Sequence, residues 1–234
     1  TFYSSADRGS FSLRGLDTLS LKFGVYLRDR WYNKTDTVIK NLVPLYEEEI
    51  DKGSWAPLYL AGDDFAYKEN YHLPALWDKQ FGYFGHLFAS ANAQMPQTVT
   101  WDLGKKVILS RMKSWHHPEG PYDGPSVKEF EIWGANSYNA DGDYITGGEK
   151  GVYKSNWVLL GKFKSYKPSG SPQGTVTQED RDYALNKGED FDFEAGIPAV
   201  RYIRFKTIAT YGTPAGGNGS VVMQEVTFWG QEVK

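Results

Sequence analysis

Between Val200 and Ala209 the chain reads VRYIRFKTIA, with Val200, Tyr202 and Arg204 on one side of an extended backbone and Arg201, Ile203 and Phe205 on the other. A period of two is the mark of a β-strand set between two environments. Similar stretches recur: LKFGVYLRD (21–29), DTVIKNLVPL (36–45), QTVTWDL (97–103), KVILSRMKSW (106–115), KEFEIWG (128–134), WVLLGKF (157–163), DFDFEA (190–195) and SVVMQEVTFWG (220–230). Each is short and bounded by Gly, Pro, Asn or Asp, and helical periodicity is scarce. The pattern predicts an all-β protein of the sandwich or jelly-roll kind.

The organisation changes near residue 45. Residues 1–45 hold two or three strands, with RDRWYNKTD as the loop between the last two, too few to close a sandwich. The acidic, glycine-containing segment 46–54 reads as a linker, and 55–234 as a second domain. The chain opens as if cut from a longer protein, with no signal peptide visible. Several loops of the second part, 79–86, 116–126, 135–156, 164–189 and 210–219, are longer than a sandwich needs, and long loops on a rigid β scaffold are where binding residues gather.

Composition excludes several chemistries. A net charge of −3 and no basic stripe leave nothing to displace counterions from nucleic acid. With no cysteine there is no disulfide, thiol catalysis or sulfur-ligated metal, and no apolar run is long enough to span a membrane. Aromatic residues make up 16 %, with 8 Trp and 16 Tyr against 3 Met, which suits β-strands and also aromatic-lined surfaces.

Catalytic and metal motifs fail on inspection. NADGDYITGGEK (139–150) offers Asn139, Asp141 and Asp143 in EF-hand order, but Tyr144 stands where glycine must be and Lys150 where glutamate must be, so a turn built on Asx chemistry is expected. The four histidines are His72, His86, His116 and His117. The last two are adjacent, so on an extended chain they point to opposite sides and cannot share one zinc ion. There is no GxSxG elbow, no phosphate-cradling loop, and no carboxylate pair singled out for glycoside hydrolysis.

What remains is binding chemistry. Sugars stack their C–H faces on aromatic rings and exchange directional hydrogen bonds with imidazoles and amides. Trp115, His116, His117 and Tyr122 in one loop, Phe81, Tyr83, Phe84 and His86 in another, and Tyr211 in a third form the candidate ligand-binding set. Trp115 ends a strand and belongs either to the core or to this rim. One of the two adjacent histidines is expected to face the ligand.

The order of ALWDKQ, HLFAS, PQTVTWDLGKKVILSRMKSW, VKEFEIWGAN, WVLLGKF, VRYIRFKTIAT and MQEVTFWG over residues 55–231 resembles the discoidin family (factor V/VIII type C domains). The resemblance implies a galactose-binding-like β-sandwich jelly roll, without catalysis, that binds sugars, lipid headgroups or proteins through loops at one end. Here those loops are 79–86 and 115–122. It also implies a possible structural calcium, for which Asp78 and Glu225 are the matching carboxylates, while the rest of the family's calcium loop is missing. Residues 1–45 resemble the last strands of a fibronectin-III- or immunoglobulin-like domain, as found ahead of discoidin-like domains in bacterial surface lipoproteins of polysaccharide utilisation. The expectation is therefore a non-enzymatic carbohydrate-binding module at the cell surface, with a glycan as partner. The alternative is a structural or protein-contact domain of a surface complex.

Overall fold

The structure, a computed structural model, describes residues 13–66, 69–81, 85–145 and 150–233. The chain divides into two compact units, Thr1–Glu47 and Glu48–Lys234. In the first, strands β1 (Leu21–Val25) and β2 (Val38–Leu42) form an antiparallel hairpin. Its loop is organised by Asp29, whose carboxylate accepts the Trp31 amide at 2.8 Å, the Asn33 amide at 3.0 Å and the Asn33 side-chain N–H at 2.8 Å.

The second unit contains β3 (Glu48–Glu49), β4 (Ala56–Leu58), β5 (Phe88–Ala89), β6 (Ala93–Gln94), β7 (Gln97–Trp115), β8 (Val127–Ala135), β9 (Val158–Lys164), β10 (Glu189–Asp192), β11 (Val200–Thr210), β12 (Asn218–Gly219), β13 (Val222–Met223) and β14 (Glu225–Glu232). Helix is confined to short segments, such as Gln178–Arg181, which Thr177 caps and which continues into Asp182–Lys187. The expected all-β sandwich is what forms.

Its organising element is β7. The sequence read 97–103 and 106–115 as two strands, yet they are one strand of 19 residues. Its first half pairs with β4 and β11, and β11 continues through β8 to β9. Its second half pairs with β14 and β10, and β14 carries β3 at its edge. One strand thus serves both layers, turning at Gly104, where φ is +76°. Alternate residues of the layers fill the space between them. Trp101 stacks on Phe228 at 6.2 Å, Phe130 meets Phe191 edge-on at 5.0 Å, and Val99, Leu103, Met112, Ile203 and Phe205 complete the packing.

Residues 48–54, read as linker, belong to this sandwich. Glu48 and Glu49 pair with Gly230 and Trp229, and the Ile50 amide donates to the Phe228 carbonyl at 2.9 Å. Ile50 is fully buried and Lys52 nearly so. A run of charges hides this, because only one of its residues is apolar.

The outward side of β11 is not left to solvent. Loop residues Tyr144, Tyr153 and Trp157 surround the buried Arg204 guanidinium, 4.9, 4.6 and 4.1 Å from its centre. The Arg204 side chain also donates to Thr100 Oγ1 at 3.1 Å and to the Gly142 carbonyl. That loop is knotted by Asp143, as the expected Asx chemistry requires. Its carboxylate accepts from the Asn139 amide at 3.0 Å, from the side chains of Asn139 and Asn156, and from the Trp157 indole at 3.0 Å, while the Asp143 amide donates to Asp141 at 2.9 Å.

Candidate functional site

Strands β7, β9 and β11 end, and β8, β10 and β14 begin, at the same end of the sandwich. Trp115 pairs with Glu225, Ser114 with Glu189, Thr210 with Val127, and Glu129 with Lys164. The loops 116–126, 165–188 and 211–224 therefore emerge together. Residues 78–81 join them from outside the strand order. The exposed Phe81 ring packs on Trp115 with centroids 5.0 Å apart, and the Lys79 amide donates to Glu225 Oε2 at 3.1 Å. The two loops singled out from sequence thus meet.

The individual side chains divide into a base and a rim. Trp115 is base: it is 8 % exposed, and both Phe81 and Gly188 lie against its indole. Gly188 has φ +74°, and a Cβ there would stand 2.6 Å from the indole. His116 is also base. Its Nε2 lies 2.7 Å from Glu189 Oε2, with both side chains buried, and Ser165 Oγ donates to the same carboxylate oxygen at 2.9 Å. The Tyr166 amide donates to the other oxygen at 2.6 Å. This network fastens loop 165–188 to the end of β7. It is not a nucleophile relay, because serine and carboxylate both face the same imidazole nitrogen, where a relay needs one on each.

Tyr122 is fully buried at φ +60°, its ring 4.5 Å from His116 and edge-on to Tyr211 at 5.7 Å. Burial raises its hydroxyl pKa well above the ordinary value. The Tyr122 hydroxyl and His116 Nδ1 are buried and have no hydrogen-bond partner among the described residues. Three of the proposed ligand contacts, Trp115, His116 and Tyr122, thus form the floor beneath the surface. Adjacency to turn residues does not reveal burial, and nothing in the sequence marks Glu189 or Ser165 as their partners.

The rim consists of Phe81, His86, His117 and Tyr211. His117 has partners different from those of His116 and is half-buried. Its Nδ1 accepts the amides of Glu119 at 3.2 Å and Gly120 at 2.9 Å, which fixes the turn. Burial lowers its pKa against the opposing pull of Glu119. Tyr211 is half-buried, its hydroxyl 3.1 Å from Ser165 Oγ, and burial pushes its pKa up to about 12. His86 Nδ1 lies 2.9 Å from Asp78 Oδ2, and the other Asp78 oxygen accepts the Gln80 amide at 2.8 Å. Tyr83 and Phe84 lie outside the described residues.

The carboxylates of Asp78 and Glu225 are engaged by protein groups in this structure. Glu225 is fully buried, and the Lys52 ammonium donates to its Oε1 and to Thr227 Oγ1, the latter at 2.7 Å. Its Oε2 is taken by the Lys79 amide. Calcium needs six to eight oxygen ligands, whereas here an ammonium and an N–H occupy the carboxylate and Asp78 is turned to His86. Among the described residues no group of three or more His, Asp or Glu side chains converges on a metal position. Burial raises the Glu225 pKa to about 7, against the pull of Lys52, and burial lowers that of Lys52.

Known proteins place this architecture. A family model for a domain of unknown function, DUF5000, matches residues 77–230, and a second, DUF5126, matches residues 1–53. A solved SusE-like protein, BT2857, is 33 % identical, with a TM-score of 0.70 over 95 % of this chain and 81 % of its own. The chain belongs to the SusE-like proteins of the DUF5000 family. No curated protein matches this SusE-like chain. Its sandwich also has the fold of the family 32 carbohydrate-binding module of Clostridium perfringens NanJ, solved with galactose. That module is 12 % identical with a TM-score of 0.50, over 79 % of this chain and 99 % of the module. The C-terminal domain of a chitobiase from Bacteroides fragilis, 14 % identical, matches with a TM-score of 0.50 over 80 % of this chain and all of its own. Among the described residues of the SusE-like chain, no helix is long and apolar enough to cross a membrane.

Proposed function

We propose that this chain is a non-catalytic carbohydrate-binding module of a cell-surface polysaccharide-utilisation lipoprotein, and that it takes its glycan at the end of the sandwich where Phe81 meets Trp115. The observation that carries the reading is the exposed Phe81 ring held against Trp115, with His86, His117 and Tyr211 as neighbouring polar groups on the same end. An aromatic face on a rigid indole floor stacks a sugar, while imidazole and phenol groups supply directional hydrogen bonds. The kinship to a SusE-like protein and the fold shared with a module solved with galactose support the same class of ligand and a surface location. The shared His116 nitrogen, reached by both Ser165 and Glu189, supports binding without bond cleavage.

A shallow, partly wet rim gives affinities on the order of micromolar to millimolar. The test is a glycan array followed by titration calorimetry of the whole chain on the best binders. Phe81→Ala is expected to weaken binding about tenfold or more, from loss of one stacking face, with the melting temperature nearly unchanged because the ring is exposed. Absence of any glycan binding up to millimolar concentration overturns the proposal. A second reading, contact with another surface protein, is favoured by Tyr59 and Phe65. These rings stand 57 % and 54 % exposed with centroids 6.2 Å apart, outside the glycan rim.

A further inference from the structure

The cluster around Glu225 has a different logic from the rim above it. A carboxylate with no solvent exposure is costly unless a cation and hydrogen bonds satisfy it. Its two oxygens reach two separate segments. Oε1 takes the Lys52 ammonium, from the entry into the sandwich, and Oε2 takes the Lys79 amide, from the segment that carries Phe81 and His86. The Lys52 ammonium is itself 2.7 Å from Thr227 Oγ1 and 5.8 Å from the Trp55 ring centre. Residues 173 positions apart are thus joined at one buried charge.

We infer that Lys52 is the built-in cation of this site, standing where a divalent ion would otherwise neutralise Glu225. It is a positioning residue that ties residues 48–54 and 78–80 to β14 without metal. Three features of the cluster carry this. The ammonium is buried and ion-paired rather than lying on the surface. Its partners are the oxygen types that a hard cation takes, a carboxylate and a hydroxyl. The remaining carboxylate oxygen receives an N–H donor, so each of the two oxygens already has a protein partner. A divalent ion and Lys52 therefore compete for one carboxylate, and the tethered charge wins because its binding is intramolecular.

The inference separates the two cations cleanly in experiment. The whole chain is melted in EDTA and in millimolar calcium, and terbium luminescence is excited through tryptophan, with Trp55 beside the site. The wild-type chain is expected to melt at one temperature in both buffers and to sensitise no terbium. Lys52→Ala leaves Glu225 unpaired, so in EDTA its melting temperature should fall by about 6–20 °C. Calcium should restore part of that loss, and terbium luminescence should appear. Should Lys52→Ala not fold in EDTA, its folding in calcium is the same positive result.

The double variant Lys52→Met with Glu225→Met removes both charges at similar volume and should fold in either buffer, indifferent to calcium. Three results overturn the inference: a wild-type melting temperature that shifts with calcium or EDTA, a Lys52→Ala chain as stable as wild type, or a destabilised Lys52→Ala chain that ignores calcium. No readout involves a glycan, so this inference and the carbohydrate proposal stand or fall separately.

Discussion

Asp143 shows how one carboxylate holds a long loop. Burial opposes its ionisation, but the hydrogen bonds from Asn139, Asn156 and Trp157 together outweigh that and bring its pKa from 3.8 to about 2. A depressed carboxylate contributes stability that is full above its unfolded value and lost as the pH falls through its folded one. The window here is about pH 4 to pH 2, and the contribution at neutral pH is about 2 kcal/mol. Asp143→Asn should therefore lose about 2 kcal/mol at pH 7 in urea unfolding, and its stability should decline less than that of wild type between about pH 4 and pH 2. Parallel decline of the two chains through that window would show that Asp143 is not the titrating group.

The Asx role of this residue was legible in NADGDY, because the turn is local. Burial of Tyr122, Lys52 and Arg204 was not, because it depends on partners such as Glu225 and Trp157 that only the tertiary fold brings near.

Single strands were read well where one layer owns them and poorly where two do. From Tyr202 to Phe205 the strand alternates because the sandwich core lies on the side of Ile203 and Phe205 and the Arg204 cage on the other, while a register shift between Val200 and Tyr202 places Val200 in the core as well. Strand β7 was cut in two at LGKK, since glycine between strands reads as a turn. Gly104 does take the left-handed conformation, but partners on both halves keep the chain extended through it: β11 before the glycine, and β14 after it.

The close approach of residue 54 makes the glycine necessary. The Ser54 hydroxyl donates to the Leu103 carbonyl at 2.7 Å, and a Cβ on Gly104 would lie 2.5 Å from Ser54 Cβ and 2.7 Å from its carbonyl oxygen. Gly104→Ala should cost about 2–4 kcal/mol by chemical denaturation, from positive-φ strain plus the clash with backbone. Gly170→Ala is the control. Its φ is +63° with nothing within 4 Å of the added carbon, so it should cost only the strain, about 1–2 kcal/mol. Equal losses at the two sites would remove the packing argument at the bend.

At the scale of the whole molecule, the two units differ in what protects their backbones. The structural boundary between them falls at Glu47, because Glu48 and Ile50 bond to β14. Within the first unit, β1 and β2 share five residue pairs, and Leu21, Phe23 and Val25 face Leu42, Lys40 and Val38 across the ladder. All of β2 is exposed, Val25 and Val38 by 68 % and 66 %, so this apolar face contributes little burial. A two-stranded hairpin of this kind is marginal in water, and local opening free energy follows the apolar contacts that must be broken.

Hydrogen exchange of the whole chain read by mass spectrometry should therefore find amides 21–25 and 38–42 opening at about 1–2 kcal/mol or less. Amides of 99–103, 203–205 and 226–228, beneath Trp101 and Phe228, should exchange only with global unfolding. Protection of the hairpin equal to that of β7 would contradict the argument. It would mean that stability in the first unit comes from something other than the burial of its own strands.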